Sequence, residues 1–230
     1  MPSPFEIVFA LYPNLTQLDF TGPFEVFQRM PDVRIRLASR QGGTLRADSG
    51  LVFAELTTLS DVAACDLICV PGGYGVSAAL RDAEFISQLR RLGLSARYVT
   101  SVCTGSLLLA GAGLLEGKRA TCHWAWRELL AESGVQVESA RIVRDGNCIT
   151  GGGVTAGIDF ALAVVAEIAG DEVAQGIQLS IEYDPQPPFS AGSPESAPPA
   201  VLARTRERSL QLLEERRSAL HAAIAARTDR

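Results

Sequence analysis

The sequence predicts one large α/β domain, a mostly parallel β-sheet sandwiched by helices, with a helical extension at its C-terminal end. Three observations predict it. Short apolar or β-branched runs alternate with helical patterns along the chain. The central runs, Leu67–Val70 and Tyr98–Val102, read as strands covered on both faces. A chain of 230 residues is long enough to bury a full core in a single α/β unit.

The elements follow in order. Glu6–Leu11 is a first strand, stopped by Pro13, and Leu15–Met30 follows as a loop and helix. Val33–Ser39 alternates Val33, Ile35 and Leu37 with Arg34 and Arg36, the period of a strand. Gln41-Gly42-Gly43 turns it, and Leu51–Phe53 reads as a short return strand. Leu67–Val70 stops at Pro71-Gly72-Gly73, and Asp82–Leu92 is an amphipathic helix. After Tyr98–Val102 an apolar helix spans Leu107–Ala112, and Trp124–Ser133 is helical. Arg141–Arg144 and Cys148–Thr150 form a hairpin around Asp145-Gly146-Asn147. Gly151-Gly152-Gly153 then leads into a helix over Thr155–Ala169, and another runs from Asp171 to about Ile181. The three glycines read equally as a hinge for the helix that follows or as a tight loop.

Residues 1–184 thus form the α/β domain. Pro185–Pro199 is an extended proline-rich linker. Val201–Arg227 reads as one helix whose stripe is Leu202, Leu210, Leu213, Leu220 and Ile224, packed on the domain or across a dimer. Seven arginines against four acids in residues 204–230 suit the solvated face of such a helix.

Composition narrows the function. A net charge of −5 argues against nucleic acid as the main partner. Five cysteines without paired spacing suit a reducing cytosol rather than a disulfide framework. With two histidines and no C-x-x-C, a zinc site is not expected. The longest apolar run, Leu107–Leu115, is too short for a bilayer, and no signal peptide is visible. The expectation is a soluble, cytoplasmic protein.

The chemistry concentrates at Cys103. It lies where a strand turns abruptly into a helix through Thr104-Gly105-Ser106, a position that strains the backbone and aims the sulfur over the sheet edge. The following helix N-terminus favours the thiolate, the nucleophilic form. Cys65, Cys69, Cys122 and Cys148 lie in or beside hydrophobic runs and read as packing residues.

Ligand sites in such sheets lie beyond the carboxyl ends of the strands, where the Asp19 loop, the Gly72-Gly73 turn and Cys103 converge. Gly72 and Gly73 offer backbone N–H groups for developing negative charge. Asp19, between Leu18 and Phe20, would be desolvated and held protonated, fit to pass a proton; its alternative is a helix cap. Thr104 places its N–H and hydroxyl beside the sulfur. His123 either approaches the site or hydrogen-bonds within its own loop. His221 reads as solvated.

These residues together resemble the ThiJ/PfpI family, of the flavodoxin-like, class I glutamine amidotransferase-like fold. The matching blocks are Leu18–Phe27, Val70–Gly73, Val102–Ser106, Ala112–Thr121 with His123-Trp124, and Gly151–Asp159. Within the family the chain is most similar to the branch that hydrates isocyanides. Its acid is Asp19 where the protease and deglycase branches carry glutamate. Thr104 follows the cysteine where the protease branch has histidine, and Ile181–Pro188 resembles the end of the hydratase domain.

The resemblance implies Cys103 as nucleophile, Asp19 as acid/base and Thr104 as a supporting group. It implies a homodimer acting on a small isocyanide, without metal or organic cofactor. Alternatives with the same cysteine are a glyoxalase- or deglycase-like enzyme and a noncatalytic redox sensor. A regulator of the AraC type would need two helix pairs after residue 199, where the sequence reads as a single helix.

Overall fold

The computed structural model describes residues 3–228, with the side chains of residues 3–227. The strands are β1 (Phe5–Leu11), β2 (Val33–Ser39), β3 (Gly43–Arg46), β4 (Val52–Thr58), β5 (Leu67–Val70), β6 (Tyr98–Val102), β7 (Arg119–Ala120), β8 (Gln136–Val137), β9 (Ile142–Asp145) and β10 (Cys148–Gly151). The helices are α1 (Gln17–Phe27), α2 (Val76–Arg81), α3 (Ala83–Ser95), α4 (Gly105–Gly111), α5 (Arg127–Ala131), α6 (Ala156–Ala169), α7 (Asp171–Ser180), α8 (Pro199–Leu210) and α9 (Leu213–Thr228).

Eight strands form one sheet in the order β3-β4-β2-β1-β5-β6-β10-β9. The six inner strands are parallel, and the antiparallel pairings β3/β4 and β10/β9 close the two edges. Strand β1 pairs with β2 on one side and β5 on the other, so successive connections leave β1 in opposite directions. That reversal opens a crevice at the carboxyl end of the sheet, where ligands of open α/β sheets bind. The mostly parallel, doubly covered sheet predicted above is the observed architecture.

One face carries α1, α6 and α7. Under α1, Phe20 meets Phe9 edge-on at 5.0 Å and Phe53 at 5.2 Å between centroids. Helices α1 and α6 touch through missing side chains. A Cβ on Gly157 would lie 3.0 Å from Pro23 Cδ, and one on Gly22 would lie 3.3 Å from Ile158 Cγ1. This close contact seats α1 and, with it, the acid in its first turn. The other face carries α2, α3 and α4, with α9 packed on α2 and α4.

Several expectations change in detail. The return strand runs over Val52–Thr58 and pairs with both β3 and β2, because its far end completes the sheet beyond Ala38 and Ser39. Trp124–Ser133 divides into a 3-10 turn at Trp124–Trp126 and the short α5, since His123 caps the turn through its Nδ1. The tail is two helices, not one. It breaks at Gln211-Leu212, so that α9 buries Ala219, Leu220 and Ala223 while α8 has no buried residue. Leu210 leaves the proposed stripe and is 63% exposed.

Candidate active site

Strand β6 ends at Cys103, whose φ is 58°, a left-handed conformation that costs a non-glycine residue roughly 1–3 kcal/mol. The surroundings hold it there. Its N–H is shared between the carbonyls of Gly151 at 3.1 Å and Gly152 at 2.8 Å. Its own carbonyl accepts from Ser106 Oγ at 3.0 Å and from Cys122 Sγ at 3.3 Å. Cys122 is therefore a buried brace for the turn. The sulfur faces the backbone N–H groups of Thr104 and Val154, and Val154 is itself strained, with φ 21°.

Asp19 rises from the first turn of α1 into the same crevice and is fully buried. Its Oδ2 accepts the Gly72 N–H at 2.9 Å, whereas Oδ1 has no hydrogen bond of regular geometry. The Cys103 thiol is the polar group acting on this carboxyl from the other side. Burial raises the Asp19 pKa to about 7, against the opposing effects of the thiol and the Gly72 N–H. The carboxyl is desolvated as expected but not held protonated: with a pKa of about 7 it stands near its midpoint at neutral pH and can either hold or accept a proton.

The expected resting thiolate is not found. Cys103 is 6% exposed, and burial, followed by the Asp19 carboxylate, pushes its pKa well above the ordinary thiol value. The N–H groups of Val154 and Thr104 act the other way and are outweighed. The resting group is a thiol, and its proton has one acceptor in place, Asp19.

Gly72 and Gly73 also take a different role from the one expected. Their N–H groups are engaged: Gly72 donates to Asp19, and Gly73 donates to Thr104 Oγ1 at 3.0 Å. The missing side chains matter more than free donors. A Cβ on Gly72 would lie 2.5 Å from Thr104 N and 2.8 Å from Asp19 Oδ2, and one on Gly73 would lie 2.4 Å from Thr16 N. The two glycines let three segments converge on the acid–cysteine pair.

Above Cys103 lies a cavity of about 420 Å³. Cys103, Thr104, Gly73, His123, Val154 and Trp126 form its floor and one wall, and α8 and α9 cover it from the far end of the chain. The histidine does reach the site. It is also bonded within its own loop, where Nδ1 accepts from Ala125 N–H at 3.3 Å. Burial, then Arg216 and Arg127, lower its pKa to about 4, so at neutral pH it is an uncharged wall and a poor base. His221, read as solvated, is half-exposed and faces Glu132 at 3.1 Å. Among the described residues, no three His, Cys, Asp or Glu side chains are placed to hold a metal ion, and no helix is long and apolar enough to cross a membrane.

Sequence reasoning missed Arg216. This α9 residue is 4% exposed, lines the cavity, donates from Nη2 to the Gly73 carbonyl at 3.2 Å, and stacks its guanidinium carbon 3.9 Å from the Trp126 ring centroid. A signal was present: Arg216 falls three residues after Leu213 and four before Leu220, on the apolar stripe.

Comparison with known proteins fits this geometry. Over 211 residues the chain is 47% identical to an isonitrile hydratase of Pseudomonas putida, covering 92% of each chain. It is 32% identical to the transcriptional regulator CdhR of Pseudomonas aeruginosa over 76% of this chain and 53% of that one. A ThiJ/PfpI family protein from Pseudomonas syringae superposes with a TM-score of 0.92 at 38% identity, covering 94% of this chain and 90% of the other. The model of the DJ-1/PfpI family matches residues 6–167, and the chain belongs to that family.

Proposed function

We propose that this protein is an isocyanide hydratase, converting R–N≡C and water to the formamide R–NH–CHO. The observation that carries the reading is the enclosed Asp19–Cys103 pair, an acid of pKa about 7 acting on a buried thiol. Its similarity to the isonitrile hydratase of Pseudomonas putida supplies the substrate class.

The pair works with one proton between its members. As the isocyanide carbon approaches, the thiol proton passes to Asp19 and the sulfur bonds to that carbon. Asp19 returns the proton to the same carbon, leaving the thioimidate R–N=CH–S on Cys103 and an ionised Asp19. A water then adds its oxygen to the carbon; Asp19 takes one water proton and delivers it to nitrogen. The remaining hydroxyl proton goes to Asp19 as the carbon–sulfur bond breaks, which restores the singly protonated pair. Covalent catalysis thereby divides one difficult addition into two. The N–H groups of Thr104 and Val154 stabilise sulfur whenever it carries charge. Thr104 Oγ1 holds the Gly73 turn. The scheme uses no metal or organic cofactor.

The working form in this reading is a homodimer in a reducing cytosol; the compartment is supported by five cysteines that are all unpaired and buried. A redox sensor of the low-pKa kind would need a sulfur held as thiolate, the opposite of the direction in which burial pushes Cys103. The test is formamide production from phenyl isocyanide by wild type and Cys103→Ala. Turnover by the wild type that disappears in the variant supports the assignment. No turnover by fully reduced wild type removes it.

A further inference from the structure

Arg216 is an anomaly that the hydration scheme does not use. A guanidinium 4% exposed should sit opposite a carboxylate, because an uncompensated buried charge costs several kcal/mol. No ion pair to Arg216 occurs among the described residues. One nitrogen, Nη2, donates to the Gly73 carbonyl. The other terminal nitrogen, Nη1, is buried without a hydrogen-bond partner. The group is nevertheless held firmly, against the Trp126 ring and in the wall of the cavity above Cys103. A desolvated, under-satisfied guanidinium in the wall of a substrate-sized cavity is a half-made ligand contact.

The rest of the wall gives the sign and size of the missing charge. The cavity is lined by two cations, Arg208 and Arg216, and one exposed-side acid, Asp48, which is already bonded by Thr16 Oγ1 at 2.6 Å. His123 is uncharged at neutral pH. Among the lining side chains the excess is a single positive charge, and the ionised Asp19 behind Cys103 offsets it for the site as a whole, which suits a monoanion held at the Arg216 wall better than a dianion. The planar guanidinium edge suits a carboxylate.

We propose that Arg216 is the specificity anchor of the cavity, and that the R group of the isocyanide carries a carboxylate bound by the Arg216 guanidinium while its isocyano carbon meets Cys103. The inference deepens the hydratase reading and rests on it for the reacting end of the substrate. It also gives the C-terminal helix a role, since α9 delivers the anchor to the site of its own chain.

The experiment compares kcat/KM for 4-isocyanobenzoate and phenyl isocyanide in wild type, Arg216→Met and Arg208→Ala, alongside calorimetric titration with benzoate. The expected result is a preference for the carboxylate of roughly tenfold or more in the wild type, erased by R216M and retained by R208A. Benzoate should bind the wild type and not R216M. Equal kcat/KM for the two isocyanides with no benzoate binding overturns the anchor while leaving the hydratase reading intact. A preference that survives R216M, or one lost only in R208A, also overturns it. Benzoate binding that depends on Arg216, in a protein that turns over no isocyanide, keeps the anchor and removes the hydratase reading. Should R216M fail to fold, the wild type and R208A decide: equal kcat/KM for the two isocyanides in the wild type, or a preference lost in R208A, overturns the anchor, and a preference kept in R208A supports it.

Discussion

Asp19 accepts the Gly72 N–H at 2.9 Å with one carboxylate oxygen, its other oxygen has no regular hydrogen bond, and the Cys103 thiol acts on the same carboxyl. Two buried titratable groups thus act on one another, and the pair titrates as a unit. Below about pH 7 both members are protonated and the thiol has nowhere to send its proton. Above it, Asp19 is ionised and can receive that proton. The value of kcat/KM should rise with pH through about 7 and then level off, because the Cys103 proton is held well above the ordinary thiol value. Asp19→Asn should lower turnover by two or more orders of magnitude, as expected for roughly 10²–10⁴-fold contributions of general acid–base groups. An activity that falls across pH 7 would assign the work to the doubly protonated pair.

The same carboxyl makes folding pH-dependent. Its pKa is about 7 in the folded chain against an ordinary value of 3.8. Between those values the folded state keeps a proton that the unfolded state has released, so stability falls as pH rises across the window and is unaffected by Asp19 on either side. Asp19→Asn abolishes the titration and retains an oxygen for the Gly72 N–H. Urea denaturation at a series of pH values should show the variant gaining on the wild type by on the order of 4 kcal/mol between about pH 4 and pH 7, at about 1.4 kcal/mol per unit. A constant difference across that range would mean that Asp19 ionises normally in the folded chain.

Thr104 predicts a separation of hydroxyl from shape. Thr104→Val keeps the volume and removes the acceptor of the Gly73 N–H, leaving that buried donor unpaired at a cost of about 1–3 kcal/mol. Thr104→Ser keeps the oxygen. Thermal denaturation should place Thr104→Ser near the wild type and Thr104→Val clearly below it, with kcat/KM following the same order as the Gly73 turn loosens. Equal stability of the two variants would show that the Gly73 N–H finds another acceptor.

Much of this was legible from sequence because it is local. The strand-to-helix turn at Cys103 is written in Val102 to Ser106, and the desolvation of Asp19 in its neighbours Leu18 and Phe20. The protonation state of the sulfur was not legible. A helix N-terminus favours a thiolate, but closure of the crevice buries the sulfur beside a carboxyl from a distant segment, and burial wins. The roles of Gly72 and Gly73 failed for the same reason: whether an N–H is free depends on what the fold brings opposite it. The tail break was hidden because Gln211 and Leu212 are acceptable helix residues, and only the docking of α9 on α2 and α4 ends α8 there.

That docking separates two leucines of the tail. Leu220 in α9 is fully buried, one turn from Arg216, and Leu210 at the end of α8 is 63% exposed. Truncating a buried leucine loses its transfer free energy and leaves a cavity, about 2–5 kcal/mol, whereas an exposed one changes stability by about 0.5 kcal/mol or less. Leu220→Ala should lower the denaturation midpoint strongly, while Leu210→Ala should leave it near the wild type. Because α9 also carries Arg216 to the Gly73 carbonyl and the Trp126 ring, the folded fraction of Leu220→Ala should show a raised KM as the wall of the cavity loosens. Equal destabilisation by the two substitutions would place α8 in a contact as close as that of α9, and an unchanged KM in Leu220→Ala would separate the packing of α9 from the shape of the site.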